Sequence, residues 1–228
     1  MREFDTLTGY PEPKEPRLVH PKIRTIQNRI IASYRGREFY DGDRNNGFGG
    51  LKNDGRWGPV ARNILREYSL HEGSSVLQIG CDKGFLLYEM HQNCPGIKLF
   101  GTEVSEYAIS CAPDAIRHLV TKAQFTELPF DNGEFDFVIA IGPVYSLNLY
   151  DAIKCIKEIQ RVGNGKSFIT LGAYDTEDDL RLFKYWTLLG STILTKKEWV
   201  EVMTHAGYTG DYKFNTAQSL KLIEKKDY

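Results

Sequence analysis

The sequence predicts an α/β fold: a doubly wound, mostly parallel sheet of seven strands with an antiparallel last strand. Three observations predict it. From position 59 onward, short apolar runs alternate with apolar residues at helical spacing. A glycine turn follows the first of those runs, and the chain's 228 residues, 41% hydrophobic, can bury one sizeable core. The body spans residues 59–228, and residues 1–58 form an N-terminal arm followed by a glycine-rich lid segment.

Residues 1–21 carry four prolines, Pro11, Pro13, Pro16 and Pro21, which permit an extended arm but neither a regular helix nor a central strand. Residues 23–34 suit a short helix. Residues 40–57, from Tyr40 to Trp57, hold five glycines among asparagines, aspartates and arginines, so a long loop is predicted. Ordering that many glycines is entropically expensive, which favours a lid over cofactor and substrate rather than a local hydrogen-bonded knot.

Pro59 suits a first helical position, and Val60, Ala61, Ile64, Leu65 and Tyr68 follow at helical spacing. Strands are predicted at 75–79, 97–102, 119–120, 135–141 and 168–171. Helices are predicted near 85–91, from Ser105 with a break at Pro113, and over 149–159. Thr195 and Glu198 make a capping box, Trp199, Val202, Met203 and Ala206 give that helix one apolar face, and Gly207 suits a left-handed C-cap. Two strands, 211–216 and 219–224, finish the chain as an antiparallel pair. In such sheets ligands bind beyond the carboxyl ends of the strands.

With 29 basic against 30 acidic side chains, the net charge of −1 gives no case for a dedicated nucleic-acid binder. No apolar run approaches the roughly 18–20 residues of a membrane span, and the first residues lack a secretion-signal pattern. Cys81, Cys94, Cys111 and Cys155 are scattered without metal-ligand spacing, so no metal site is expected and a reduced, cytoplasmic setting is.

The turn Gly80-Cys81-Asp82-Lys83-Gly84 brings a backbone close to a ligand at the start of a helix. Glu103 ends the next strand 23 residues after Gly80, where a carboxylate accepts hydrogen bonds from ribose hydroxyls. A dinucleotide would prefer G-x-G-x-x-G, yet Asp82 and Phe85 replace its second and third glycines. Asp82 would repel a pyrophosphate. S-adenosyl-L-methionine has no phosphate and carries an ammonium group, so it suits this loop better.

These residues resemble the class I S-adenosylmethionine-dependent methyltransferases. Val76 to Gly84 is similar to their first motif, and Glu103 falls at their ribose-binding acid. Residues 123–130 and 131–138 are similar to their adenine-side segment and fourth strand, and residues 195–208 to a late helix before the last strand pair. The likeness covers residues 59–224; the front segment resembles that of a little-characterised bacterial subgroup. It implies a Rossmann-like fold and a cofactor site of Gly80, Cys81, Asp82, Gly84, Glu103, Val104, Gln124, Phe125, Ile141 and Gly142. Two departures are Gln78, where the family usually has an acid, and Asp82, where it usually has glycine. Both also fit a module that binds cofactor without turnover.

The loop after the fourth strand, Ile141-Gly142-Pro143-Val144-Tyr145, lacks the Asp/Asn-Pro-Pro-aromatic motif of amino-methylating nucleic-acid enzymes, and no Pro-Cys nucleophile is present. A small-molecule acceptor, methylated on O or N, is therefore expected rather than nucleic acid, and an assembly of identical copies stays open. Tyr40, Arg44, Arg56, Trp57, Tyr145 and Tyr174 are the candidate acceptor contacts. Arg44 and Arg56 could clamp a carboxylate or phosphate, as in a nucleotide-linked sugar or surface-polysaccharide precursor. Tyr145 is either a core aromatic or a substrate contact. With Asp43 and Asp175 it is a candidate general base, and none of the three stands out.

Overall fold

A computed structural model of the chain describes residues 1–226. In chain order the elements are β1 (Arg2–Glu3), β2 (Arg17–Val19), α1 (Ile26–Ser33), α2 (Arg37–Tyr40), α3 (Gly58–Glu67), β3 (Ser75–Ile79), α4 (Phe85–Asn93), β4 (Lys98–Glu103), α5 (Glu106–Ser110), α6 (Asp114–Arg117) and β5 (Val120–Lys122). They continue as β6 (Phe137–Ala140), α7 (Pro143–Ser146), α8 (Leu149–Val162), β7 (Ser167–Tyr174), α9 (Glu177–Trp186), β8 (Leu194–Thr195), α10 (Lys196–His205), β9 (Asp211–Asn215) and β10 (Leu222–Glu224).

The main sheet runs β1-β9-β7-β6-β3-β4-β5, with β8 added to the end of β7. Its central strands read as continuous apolar runs because both faces are covered. Along β6, Val138 and Ala140 face one core with Ala152, Ile156 and Ile159 of α8 and Trp199 and Met203 of α10. Phe137 and Ile139 face the other, with Val60 and Ile64 of α3 and Leu86 and Met90 of α4. That alternation makes the sheet doubly wound.

The sheet pairings of the described residues are all parallel, which corrects the expected antiparallel closing pair. β9 lies parallel to β7, and its outer edge is taken by β1, where Arg2 donates to both carboxylate oxygens of Asp211 at 3.1 and 2.6 Å. The turn after β9 is helical rather than a hairpin, with Leu220 N–H donating to Thr216 C=O at 3.0 Å. Lys221 then takes a left-handed φ of 54°, and β10 leaves the sheet to pair with β2 in parallel. The capping box at Thr195 and the left-handed Gly207 are present as expected. Helix α9, capped by Thr176 and Asp179, was not anticipated.

The front segment contributes β1 and β2 and lays α1 and α2 across the carboxyl ends of the strands. Phe39 and Tyr40 of α2 pack with Ala108 of α5 and against Leu188 and Leu189, forming a third apolar cluster. A β-carbon at Gly47 would lie 1.8 Å from the Phe39 carbonyl oxygen, so only glycine lets the loop fold back on α2. No helix of the described residues is long and apolar enough to cross a membrane.

Candidate active site

The crevice opens where β3 ends. Gly80 has φ +63°, and a β-carbon there would lie 2.4 Å from Pro143 Cγ, so glycine permits the loops after β3 and β6 to meet. Asp82 also has a positive φ, 52°, a conformation that aspartate tolerates better than most side chains. The loop is tied to the next strand by Glu103, a fully buried carboxylate. Its Oε2 accepts from Asp82 N–H at 2.9 Å, while Oε1 accepts from Val104 and Ser105 N–H at 2.8 and 2.9 Å. A carboxylate has about four acceptor positions. Three backbone donors therefore occupy most of its acceptor capacity, and Glu103 lies beneath the cavity rather than on its wall.

Asp82 is the electrostatic centre of the site. Burial, and then the nearby charge of Glu103, push its carboxyl up from 3.8 to about 7, against the opposing pull of Arg35, Tyr40 and Lys83. Tyr40 donates to Asp82 Oδ1 at 3.1 Å. Two carboxylates held close in a poorly solvated pocket favour a positively charged ligand and disfavour a pyrophosphate. Beneath the loop, the buried Gln78 Oε1 has no hydrogen-bond partner among the described residues. Strand β3 thus keeps an unused acceptor where the resemblance places an acid. This donor set fits a phosphate-free adenosine with a cationic tail.

A cavity of about 1390 Å³ extends from this loop under the front segment. It brings together Gly80, Asp82, Phe125, Ile141, Gly142 and Tyr145 with Arg44, Arg56 and Trp57, all expected site residues. Cys81 is buried beneath the loop, and burial pushes its thiol well above the usual range, so it is a packing residue. Gly84, Val104 and Gln124 do not line the cavity: Gly84 starts α4 with φ +72° against Ile116, Val104 packs on the core and Gln124 is exposed.

Other expectations require correction. Tyr40 is fully buried, packed beside Phe39 and Phe48, so it contacts the cofactor loop instead of an acceptor. Tyr174 lies at the end of β7 outside the cavity. Asp43 is exposed and accepts from Asn45 N–H at 2.7 Å within its own loop. Asp175 is drawn away by Lys196, 2.7 Å from its Oδ2. Tyr145 does reach the cavity, but burial raises its hydroxyl to about 12, which favours a hydrogen-bonding role at neutral pH over that of a base.

Two residues at the site escaped the sequence reading. Arg35 follows α1 with φ +47°, and its guanidinium lies 5.8 Å from the Phe125 ring and 3.3 Å from Ser146 Oγ, inside the cavity. A non-glycine left-handed residue costs roughly 1–2 kcal/mol, and the Tyr34-Arg35-Gly36 helix end was the one available signal. Lys83 belongs to the recognised turn, but its role appears only in three dimensions. Its buried Nζ contacts both oxygens of Asp41 at 2.7 Å and donates to Leu51 C=O at 3.0 Å, latching the front segment to the cofactor loop. Among the described residues no cluster of His, Cys, Asp and Glu could hold a metal ion.

The fold and this crevice resemble those of class I S-adenosylmethionine-dependent methyltransferase domains. Residues 76–164 match a family model described as a methyltransferase domain. The chain is similar to the YcgJ protein of Bacillus subtilis, with a TM-score of 0.53 at 15% identity over 64% of this chain and 66% of that one. It also matches an S-adenosylmethionine-dependent methyltransferase of Methanosarcina mazei, with a TM-score of 0.49 at 22% identity over 63% and 82% of the two chains. A curated relative, the tRNA U34 carboxymethyltransferase of Aliarcobacter butzleri, is 26% identical over 141 residues, 58% of this chain. The chain spans 45% of that relative's length.

Proposed function

We propose that this chain moves a methyl group from S-adenosylmethionine to an oxygen or nitrogen atom of a small, anionic molecule. The observation that carries the reading is the continuity of the Asp82 loop with a half-open cavity lined by arginines and aromatic rings. When bound, the cofactor would supply an electrophilic methyl on a sulfonium for the acceptor's lone pair, sulfur keeping the electrons of the carbon–sulfur bond.

The protein's contribution is alignment and exclusion of water, which can supply up to roughly 7–11 kcal/mol. Asp82 would hold the ammonium group, Glu103 a ribose hydroxyl and Phe125 the side of the adenine. Arg35, whose guanidinium lies 3.3 Å from Ser146 Oγ, and the neighbouring Tyr145 would orient the acceptor. Of the carboxylates lining it, Asp5 is paired with Lys213 at 2.8 Å, Glu12 with Lys221 at 2.8 Å and Asp54 with Arg56. Asp54 is pulled down to about 2 by that arginine. Such a lining favours a nucleophile that needs little help in losing a proton, such as a neutral amine. A nucleotide-linked sugar matches the charge of the cavity.

The tRNA-modifying relative supports a second reading, in which the acceptor is a base in RNA. The placement of the cavity between the front segment and the cofactor loop favours the small molecule. Calorimetry should find one S-adenosylhomocysteine bound per chain and no NAD. Release of S-adenosylhomocysteine should then be followed with anionic small molecules and with tRNA. Turnover with tRNA alone would replace the first reading by the second, and cofactor binding without turnover on any acceptor would favour a non-catalytic module.

A further inference from the structure

The cavity's lining is much more basic than the chain as a whole. Seven cationic side chains face four carboxylates, three of which are already taken by Lys213, Lys221 and Arg56. The surplus gathers at the end formed by the front segment and the carboxyl end of α9. There Arg17 and Arg24 each place the guanidinium carbon 5.9 Å from the centre of the Trp186 ring. Arg44 approaches both and donates to Gly47 C=O at 2.7 Å. Among the described residues no ion pair joins Arg17, Arg24 or Arg44 to a carboxylate.

Part of this has a structural explanation. Arg24 donates to the Trp186 carbonyl at the end of α9 and to the carbonyls of Arg44 and Gly47, so it ties the loop of residues 41–57 to that helix. A cation is well placed at a helix C-terminus. That does not account for Arg17 and Arg44 beside it. Burial pulls the Arg24 guanidinium down to about 10, and Arg44, Arg17 and Arg29 push it the same way. Arg17 is pulled down by burial and by Arg44. Like charges are crowded in a partly dehydrated place with an aromatic plane, an arrangement that an anion relieves.

We infer that Arg17, Arg24 and Arg44 with Trp186 form a phosphate subsite, and that the acceptor carries a phosphoryl group held there while its nucleophile lies toward Asp82. This rests on the methyltransferase reading and narrows its substrate class. A carboxylate brings one negative charge; a phosphate monoester brings about two at neutral pH and three acceptor oxygens, matching several guanidinium groups at once. The Trp186 ring offers a surface on which a sugar or base attached to that phosphate can lie.

Titration calorimetry of the full chain with inorganic phosphate, and with acetate as the comparison, tests the subsite. Phosphate is expected to bind saturably and acetate at least tenfold more weakly. Arg17→Gln with Arg44→Gln should reduce phosphate affinity tenfold or more while S-adenosylhomocysteine affinity and the melting temperature stay near those of the parent. Arg24→Lys, which keeps a charge at the helix end but gives up the fork that ties the loop, should lose phosphate affinity and also lower the melting temperature slightly, so the Arg17 and Arg44 pair carries the test. Phosphate binding that is absent, or equal in parent and variants, would overturn the inference even if S-adenosylhomocysteine binds. Phosphate binding with no S-adenosylhomocysteine binding would leave the subsite and remove the methyltransferase reading. A nucleoside monophosphate binding more tightly than a single-stranded RNA oligonucleotide supports a free phosphorylated acceptor; the reverse order, with steep salt dependence, would transfer the site to RNA phosphodiesters.

Discussion

The Tyr40 hydroxyl donates to Asp82 Oδ1 at 3.1 Å, joining the front segment to the cofactor loop through a fully buried phenol. Burial and the charges of Asp82 and Glu103 push that phenol far above its ordinary range, so it remains a donor at every accessible pH. The bond favours the ionised form of Asp82. Tyr40→Phe removes it and should weaken S-adenosylhomocysteine binding by about tenfold, the worth of one hydrogen bond to a charged group. Calorimetry of the variant checks this, and an unchanged affinity would show that the front segment does not act on the cofactor loop.

Asp82 also gives the protein a characteristic pH dependence. Its carboxyl is raised from 3.8 to about 7, chiefly by burial. The folded state therefore keeps a proton that the unfolded chain releases, and this share of stability, complete below the ordinary carboxylate value, is lost as pH rises toward 7. Asp82→Asn should gain melting temperature relative to the parent as pH is raised across that window. Cofactor binding runs the other way: the ammonium group prefers ionised Asp82, so the parent's affinity should rise through pH 7 and the variant's stay flat.

Glu103, proposed to meet the ribose, has a structural task in the loop itself. Three backbone N–H groups converge on its carboxylate. Glu103→Gln would turn an amide donor against one of them, so it should reduce cofactor affinity more than tenfold and also lower the melting temperature. Scanning calorimetry with and without S-adenosylhomocysteine separates the two effects. A change confined to affinity would mean that the loop holds without this carboxylate.

The latch between Lys83 and Asp41 should govern access to the cavity. Asp41→Asn removes the ion pair and leaves the buried Lys83 ammonium with the Leu51 carbonyl. Because the Asp41 side chain is partly exposed, the expected loss is modest, about 1–2 kcal/mol. It should appear as faster amide exchange and proteolysis within residues 41–57, with the central strands unchanged.

Tyr145→Phe discriminates between orientation and proton transfer. The hydroxyl is held at about 12, so the variant should lose turnover severalfold yet keep the shape of its pH–rate profile. Disappearance of a basic limb in the variant would restore tyrosine as the base.

Much of the fold was legible because its signals are local. The apolar run of β3, the capping box at Thr195 and the break at Pro113 are each encoded within a few neighbouring residues and lie where expected, and the short strand β5 starts one residue later than expected. Gly80, Asp82 and Glu103 were legible for the same reason: a strand-end turn and the end of the next strand fix their places. The closing strands were misread because their partner depends on competition. A hairpin is the local default, yet β1 occupies the edge of β9 and β2 offers β10 another.

The sequence by itself determined the doubly wound sheet and the place of the turn after its first body strand, since these follow from periodicity and from residues adjacent in the chain. Only the tertiary structure decided what the front segment does. It turned Tyr40 from a candidate acceptor contact into the partner of Asp82, brought Arg35 into the crevice from a helix end, and set Arg24 on a carbonyl 162 residues away. Such meetings arise when separate apolar clusters bury themselves against one another. They carry charged side chains together that no local pattern links.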